Sequence, residues 1–369
     1  MKLDDTTLFL CGDVMTGRGI DQVFAHPGDP QLHEPWVSSA LDYVALAERR
    51  SGPLPRPADP TYIWGDVLAI LDDEAPDARI VNLETAVTDR GLPWPGKGIH
   101  YRMHPHNLAC LEVAGINCCV LANNHVLDWS YEGLEQTLDT LEAAGIAVTG
   151  AGRNASAASK PAVIELDKGS RVVVVALGTS SSGIPSAWAA EDDRPGVAFS
   201  SNLSMRDIDL IADHVGTVAG AADVVVASIH WGPNWGYEIP ASHKRFARAL
   251  IDEAGVDVVH GHSSHHPLGI EVYRDRPILY GCGDLINDYE GIRGHEEFHP
   301  ELGFLYFVTT GTSEQGLKRL QLVPVRMRRF RLRVASATET ATLARTLARE
   351  CRRLGTTITT DSGRFFVEW

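Results

Sequence analysis

Short runs of β-branched and apolar residues alternate along the chain with stretches of helical periodicity, and no other feature constrains the fold as strongly. The runs have the length of buried strands, and the stretches between them have the apolar spacing of amphipathic helices. Strands are predicted at residues 7–11, 78–82, 117–121, 171–176, 223–229, 257–260 and 277–280. Helices are predicted at residues 64–71, 131–144, 205–215 and 243–254. This order of elements predicts an α/β protein.

Two regions depart from the alternation. Residues 25–63 are rich in Pro and polar residues, which predicts an inserted loop or lid because motif residues flank it on both sides. From about residue 303 onward, the runs FLYFVTT, LQLVPVRM and RFRLRVAS predict antiparallel strands that close a second sheet, and a helix is predicted over residues 338–353. Because the chain has no internal repeat, residues 1–369 are expected to form a single domain.

The balance of charge disfavours two classes of partner. The 369 residues carry a formal net charge of -15, whereas nucleic acids and anionic membranes select for basic patches. No run approaches the roughly 18 apolar residues of a transmembrane helix, and the first residues lack the pattern of a signal peptide. We therefore expect a cytoplasmic protein. The six cysteines show no CxxC spacing and are expected to be small buried hydrophobes.

Side chains that can bind a metal follow the ends of five predicted strands. Ligands bind beyond the carboxyl ends of strands in α/β sheets, so five such ends predict one shared site. Taken singly, each residue is more commonly a turn or capping residue, and only the combination favours a metal centre. The residues at these strand ends are Asp13, Glu84, Asn124, His125, His230, His260 and His262.

This set mixes imidazole with carboxylate and amide oxygens and contains no thiolate. Such a mixture is typical of a catalytic site rather than of structural zinc. One or two divalent ions are expected, and Mn, Zn, Fe, Co and Ca all stay open. The predicted metal ligands are Asp13, Glu84, Asn124, His230, His260 and His262.

A second group of residues is typical of substrate contacts. Lys97, His100 and Arg102 lie in a Gly-rich loop after the second strand, and Arg18 lies shortly after the first. Fixed cations beside a metal suit a carboxylate or a phosphate, so a peptide with a free carboxylate is the expected partner. Trp231 could line an apolar pocket, although such residues are more often core.

Four residues are candidate proton carriers. His295 follows a late strand and has an unperturbed pKa near neutrality, although an ordinary loop histidine fits the spacing equally well. Cys11 precedes Asp13 by two residues and shares its strand face, although a packed thiol is the simpler interpretation. His125 could orient a proton or a substrate rather than bind metal.

Six motifs between residues 6 and 310 resemble those of the CapA family of poly-γ-glutamate synthesis proteins. In order they are GDVMTGR, VNLET, LANNHVLDW, IHWG, VVHGHSSHHP and RPILYGCGDLIND. That family is similar to the calcineurin-like metallophosphoesterases, so the resemblance implies a four-layer α-β-β-α sandwich. It places the metal-centre pattern of those enzymes on Asp13, Glu84, Asn124, His125, His230 and His262, with His260 as an additional candidate.

The chain departs from the phosphoesterase pattern at two positions. Met15 stands where those enzymes have a histidine, and a thioether is a poor ligand for hard divalent metals. The second acid, Glu84, belongs to an NLET motif rather than GDxxD. These departures weaken the expectation of phosphoester hydrolysis. The resemblance extends to the peptide epimerases of lasso-peptide clusters, which invert a C-terminal residue of a ribosomal precursor.

Three functions stay open from the sequence. The first is a metal-dependent isomerase, an acid/base peptide epimerase acting at the Cα of a C-terminal residue. The second is a metal-dependent hydrolase of a peptide, a γ-glutamyl amide or a phosphoester. The third is an accessory protein of poly-γ-glutamate or capsule biosynthesis without catalysis. The oligomeric state is not determined by the sequence.

Overall fold

A computed structural model describes residues 5–221, 223–311 and 315–369. Within these residues the chain forms 22 β-strands and eight α-helices. The strands are β1 Thr6–Cys11, β2 Asp13–Val14, β3 Ala78–Leu83, β4 Ala86–Val87, β5 Arg102–Met103, β6 Cys118–Val120, β7 Ala147–Thr149, β8 Ala151–Gly152, β9 Ala162–Glu165, β10 Arg171–Thr179, β11 Gly196–Val197, β12 Phe199–Ser200, β13 Val224–His230, β14 Val258–His262, β15 Ile270–Tyr273, β16 Arg276–Leu279, β17 Asp284–Ile286, β18 Leu302–Thr310, β19 Leu317–Arg328, β20 Arg331–Val334, β21 Thr357–Asp361 and β22 Arg364–Glu368. The helices are α1 Ala40–Ser51, α2 Val67–Glu74, α3 Ala109–Glu112, α4 Ser130–Ala143, α5 Ala155–Ser159, α6 Met205–Val218, α7 Ala241–Glu253 and α8 Ala337–Arg352.

Most strands belong to two large sheets. The first has the order β17-β2-β3-β1-β18-β19-β22-β21, with β20 beside β19, β6 beside β3 and β7 beside β6. The second has the order β12-β10-β13-β14-β16-β15, with β9 beside β10. In the second sheet β10, β13, β14 and β16 are parallel, so their carboxyl ends share one edge.

Alternate side chains of a strand point to opposite faces of its sheet, and here both faces are apolar, so each sheet lies between two apolar layers. Leu8 and Leu10 of β1 and Val172 and Val174 of β10 face one another in a core between the sheets. The opposite face of β1 packs with α2, α3 and α4, and the opposite face of β10 packs with α6 and α7. The layers therefore run helix, sheet, sheet, helix, which confirms the four-layer α-β-β-α sandwich of the calcineurin-like fold.

The predicted strands and helices are all present, with ends displaced by a few residues. The C-terminal strands join a different sheet from the one predicted, because β18 pairs antiparallel with β1 and so extends the first sheet. Residues 25–63 contain α1, which their Pro-rich composition did not predict. No helix in the described part of the chain is long and apolar enough to cross a lipid bilayer.

Candidate functional site

The carboxyl ends of strands from both sheets meet at one place. Asp13 lies in register with Asn82 on one side and with Asp284 on the other, in the first sheet. His230 lies in register with His262 in the second. All five side chains are buried. The predicted residues Asp13, His230 and His262 are therefore brought together, although they are far apart along the chain.

His230 and His262 face each other with their Nδ1 atoms, which lie 2.7 Å apart. His230 Nε2 lies 2.9 Å from the side-chain oxygen of Asn124, so this nitrogen carries the proton and donates it. The side-chain amide of Asn82 approaches His230 Nδ1 at 3.5 Å, as a donor does toward a lone pair. His230 therefore presents an unprotonated Nδ1 to His262.

A chain of hydrogen bonds fixes the tautomer of His262 as well. His260 Nε2 lies 2.7 Å from the carbonyl oxygen of Cys11 and must donate to it, which leaves its Nδ1 as an acceptor. That nitrogen takes the hydroxyl proton of Ser228 at 3.0 Å. The Ser228 oxygen then accepts from His262 Nε2 at 2.9 Å. Like His230, His262 is left with a lone pair on Nδ1.

Two lone pairs facing each other at 2.7 Å repel unless a positive charge lies beside them. Burial lowers the pKa of His230 and of His262 well below the usual range, which disfavours a proton in that role. Asp13 Oδ1 lies 3.9 Å from His262 Nδ1, and the three residues form a group that can hold a metal ion. The residues present fit a divalent cation.

A second group of possible ligands shares Asp13 with the first. His265 Nδ1 lies 2.9 Å from Asp284 Oδ1, and both are close enough to Asp13 to hold a metal ion with it. The sequence analysis did not single out His265 or Asp284. A signal was present, since the tripeptide Cys-Gly-Asp occurs twice and its two aspartates, Asp13 and Asp284, are neighbours on paired strands.

Burial outweighs the nearby positive charge of Lys97 and His265 at the carboxylates of this site. Burial, together with Asp284, raises the pKa of Asp13 to about 7. Burial and Asp13 raise the pKa of Glu84 well above its usual range. One oxygen of Glu84, Oε2, is buried without a hydrogen-bond partner. Adjacent buried carboxylates need added positive charge, and a bound metal ion provides it.

His125 lies beside Glu84 and forms a hydrogen bond with a second acid, Asp128. Its Nδ1 lies 2.6 Å from Asp128 Oδ2, and its Nε2 lies 3.7 Å from Glu84 Oε1. Lys97 Nζ lies 2.6 Å from the other oxygen of Asp128. Burial lowers the pKa of His125 to about 4, so the neutral ring donates from Nδ1 and presents the Nε2 lone pair to the centre.

A cavity of about 1100 Å³ opens beside the centre. His265 and Tyr289 line it, and so do residues of the segment 25–63, which was predicted to be a loop or lid. The exposed ring of His295 stacks on Trp235 at 4.0 Å between ring centres on the same wall. The side chains that border the cavity include Arg18, Glu34, Trp36, Tyr43, Asn234, Trp235, His265, Tyr289 and His295.

Arg18 borders the cavity, and its positive charge is paired with two carboxylates. Its guanidinium donates to both oxygens of Asp288 and also forms an ion pair with Glu34 at 2.9 Å. Its role in binding a substrate stays a prediction. Met15, which stands at the position of a phosphoesterase ligand, is buried with its sulfur 3.7 Å from the hydroxyl of Tyr289.

Three predicted site residues have other environments, and these predictions were wrong. Both ring nitrogens of His260 are engaged, by Cys11 carbonyl and Ser228, so the ring has no free atom for a metal. The Cys11 thiol packs in the apolar layer under the helices, and burial raises its pKa well above the usual range. Trp231 packs against His243 in the opposite apolar layer.

His100 and Arg102 also lie away from the cavity, and their role as substrate contacts stays a prediction. His100 is buried and its Nε2 donates to the carbonyl of Trp94 at 3.1 Å. The guanidinium of Arg102 lies over the ring of Trp129 at 3.7 Å. Neither side chain borders the cavity. Both residues stabilise the loop that follows Glu84.

Comparisons with known proteins agree on one group of relatives. The family profile of the bacterial capsule synthesis protein PGA_cap matches residues 7–289. A probable polyglutamine synthesis accessory protein of Mycobacterium tuberculosis is 46% identical over 97% of this chain and 94% of its own length. The PGA biosynthesis protein CapA of Bacillus subtilis is 27% identical over 75% of this chain and 62% of its own length.

One solved structure, of a novel phosphatase from Mycoplasma pneumoniae, aligns with 88% of this chain and 94% of its own. The two chains are 12% identical, and the TM-score is 0.47. The four-layer order described above rests on the packing of this chain's own strands and helices.

Proposed function

The chain belongs to the bacterial capsule synthesis protein family PGA_cap, and on that basis we propose that it is a metal-dependent enzyme serving the synthesis of a polyglutamate-type polymer. The observation that carries the proposal is the pair of unprotonated Nδ1 atoms of His230 and His262 beside Asp13, close to a large cavity that His265 lines. Two facing lone pairs beside a carboxylate favour a bound divalent ion. The names of the relatives suggest the polymer, and the arrangement of the side chains suggests metal-dependent chemistry.

We propose that Asp13, His230 and His262 hold one divalent ion and that Asp13, His265 and Asp284 can hold a second. Such an ion supplies Lewis-acid polarisation of a substrate carbonyl or phosphoryl oxygen and activates water. Imidazole and carboxylate ligands suit Mn, Zn, Fe or Co better than Ca, because calcium sites are lined by oxygen. Glu84 and Asn124 stay proposed ligands, and both lie close to His230.

We propose hydrolysis of an amide bond as the reaction. In this scheme a water molecule attacks the carbonyl carbon and its proton passes to the Nε2 lone pair of His125. The C–N bond then breaks, and the same proton passes from Nε2 to the leaving nitrogen, so atoms and charge balance. Asp128 keeps the ring in the required tautomer, and Lys97 holds Asp128 in place.

The walls of the cavity carry five arginines beside four glutamates, and we propose that the arginines bind free carboxylates of the substrate. Arg49, Arg50 and Arg293 border it and are exposed, while the matched guanidinium of Arg18 lies deeper. A peptide or polyglutamate chain with a free carboxylate is the substrate class that fits these cations. The expected cytoplasmic location and the absence of membrane and nucleic-acid partners stay predictions.

The test is an assay of metal-reconstituted protein with poly-γ-glutamate, γ-glutamyl peptides and a generic phosphate monoester. We expect release of amine, and a loss of about 10²-fold or more for His125→Asn, which removes the proton carrier. The matched control is His214→Asn, on α6, which should leave the rate unchanged. Bound metal without turnover of any substrate would instead favour an accessory protein without catalysis.

A peptide epimerase is the second candidate, and one observation favours it. His295 lines the same cavity as His265, so the cavity offers a second histidine as a proton carrier. Inversion at Cα needs a proton removed from one face and returned to the other. Incubation of candidate peptides in heavy water decides the question, because α-deuterium without amine release supports epimerisation and its absence excludes it.

A further inference from the structure

The hairpin formed by β19 and β20 carries five arginines within eight residues, in a chain with a net charge of -15. The strand register sets arginine opposite arginine twice, as Arg328 faces Arg331 and Arg326 faces Arg333. Like charges directly opposite each other on neighbouring strands destabilise a hairpin. The repetition of this unfavourable pairing indicates that the arginines serve a ligand.

The hairpin is nevertheless a rigid element. Phe330 at its turn and Leu332 after it are fully buried in the apolar layer beside the first sheet. The backbone nitrogen of Arg329 donates to Glu290 at 2.5 Å, and Arg326 forms an ion pair with Glu339. The guanidinium groups are therefore presented from fixed positions, which lowers the entropy cost of binding an anion.

A second cavity, of about 410 Å³, lies against this hairpin. Its walls are Arg329, Arg331 and Arg333 on one side and Tyr62 with residues 53–55 on the other. The Nε atoms of Arg329 and Arg331 are buried without a hydrogen-bond partner. The guanidinium of Arg331 has only a weak ion pair, with Asp66 at 4.0 Å, and that of Arg329 donates to the carbonyl oxygen of Pro53. Among the described residues, Arg333 has no ion pair.

We propose that this arginine hairpin binds a multivalent oxyanion, a polyphosphate or a polycarboxylate. Guanidinium groups match both through paired N–H···O bonds. The site is separate from the metal centre and does not depend on its chemistry. Arg326 of the same hairpin borders the large cavity, so an extended anion bound here lies at the edge of that cavity.

The experiment titrates the full chain with tripolyphosphate and with penta-glutamate by calorimetry, at low and at high salt. The variant is Arg331→Gln with Arg333→Gln. The matched control is Arg345→Gln with Arg352→Gln on α8, which removes the same charge from exposed positions. We expect the hairpin variant to lose tenfold or more in affinity and the control to lose less than twofold. The tighter of the two ligands identifies the source of the oxyanion.

Thermal unfolding without ligand separates binding from structure. Removal of the opposed charges should leave Tm unchanged or raise it, whereas arginines with a structural role would lower it on substitution. A fall in Tm of several degrees would overturn the proposal. So would equal losses of affinity in the two variants, or no binding of either anion to the parent chain.

Discussion

The buried metal centre beside the large cavity, called the floor below, and the rim of that cavity are built in opposite ways. The floor consists of strand ends, and its side chains are fully buried and fixed by hydrogen bonds to one another. The rim consists of residues 25–63, the loop around His295 and the arginine hairpin, and many of its side chains are exposed. Rigid positions suit a metal centre, whereas adaptable ones suit the recognition of a large substrate.

The two regions also differ in charge. The carboxylates Asp13, Glu84 and Asp284 are buried together at the floor, where burial raises the pKa of Asp13 and of Glu84. The lining of the cavity carries five arginines beside four glutamates. The floor therefore favours cations and the rim presents both signs of charge, within a chain whose net charge alone describes neither. The following predictions test this contrast.

The largest effect is expected at the floor. His262→Asn removes an Nδ1 ligand, and we expect metal content to fall severalfold and turnover to fall by roughly 10³-fold. Metal analysis of the purified protein and the amine-release assay measure both. His214→Asn on α6 is the control. Normal metal content in the His262 variant would contradict the assignment of His262 as a metal ligand.

A smaller effect is expected from Ser228→Ala, which touches no proposed ligand atom. Without the hydroxyl, His262 is free to protonate Nδ1, and we expect metal affinity to weaken about 10- to 100-fold. Competition with a chelator measures the affinity. Ser200→Ala, at another buried serine of the second sheet, should leave it unchanged. Equal affinity in the Ser228 variant and the parent would show that the hydrogen-bonded chain does not fix the tautomer.

The raised pKa of Asp13 should also change how the free energy of unfolding of the metal-free protein depends on pH. The pKa of Asp13 rises from 3.8 to about 7 on folding, so the folded chain binds this proton more tightly. The free energy of unfolding should therefore fall as pH rises from about 4 to about 7. Urea unfolding in chelator measures it. In Asp13→Asn this fall should be reduced, and an unchanged pH profile would contradict the raised pKa.

The smallest effect on stability is expected at the rim. Trp36 borders the cavity and is 89% exposed. Trp36→Ala should change the free energy of unfolding by less than about 0.5 kcal/mol, while KM rises about three- to tenfold through lost contact area. Steady-state kinetics beside Trp369→Ala, at another exposed tryptophan, make the comparison. An unchanged KM would remove Trp36 from the substrate surface.

Much of the floor was predictable from strand ends. Asp13, His230 and His262 follow buried apolar runs, and a buried run fixes where a strand stops and which edge its next residue reaches. His260 shows where this reasoning fails. It lies on the same strand as His262, but its ring turns to the Cys11 carbonyl of the other sheet. No local pattern contains that contact, because 249 residues separate the two partners.

The sequence by itself determined the predicted strands and helices and the grouping of acids and histidines at one edge, because periodicity and strand ends are local properties. The four layers were implied only by the family resemblance. Only the tertiary structure decided which atoms face the centre. The packing of the two sheets brings His265, Asp284 and Ser228 to the site. It also places Cys11 and Trp231 in apolar layers. The strand register places arginines opposite each other in the hairpin. Tautomers, side-chain direction and strand register depend on partners from distant parts of the chain, and these meet only when the two sheets pack.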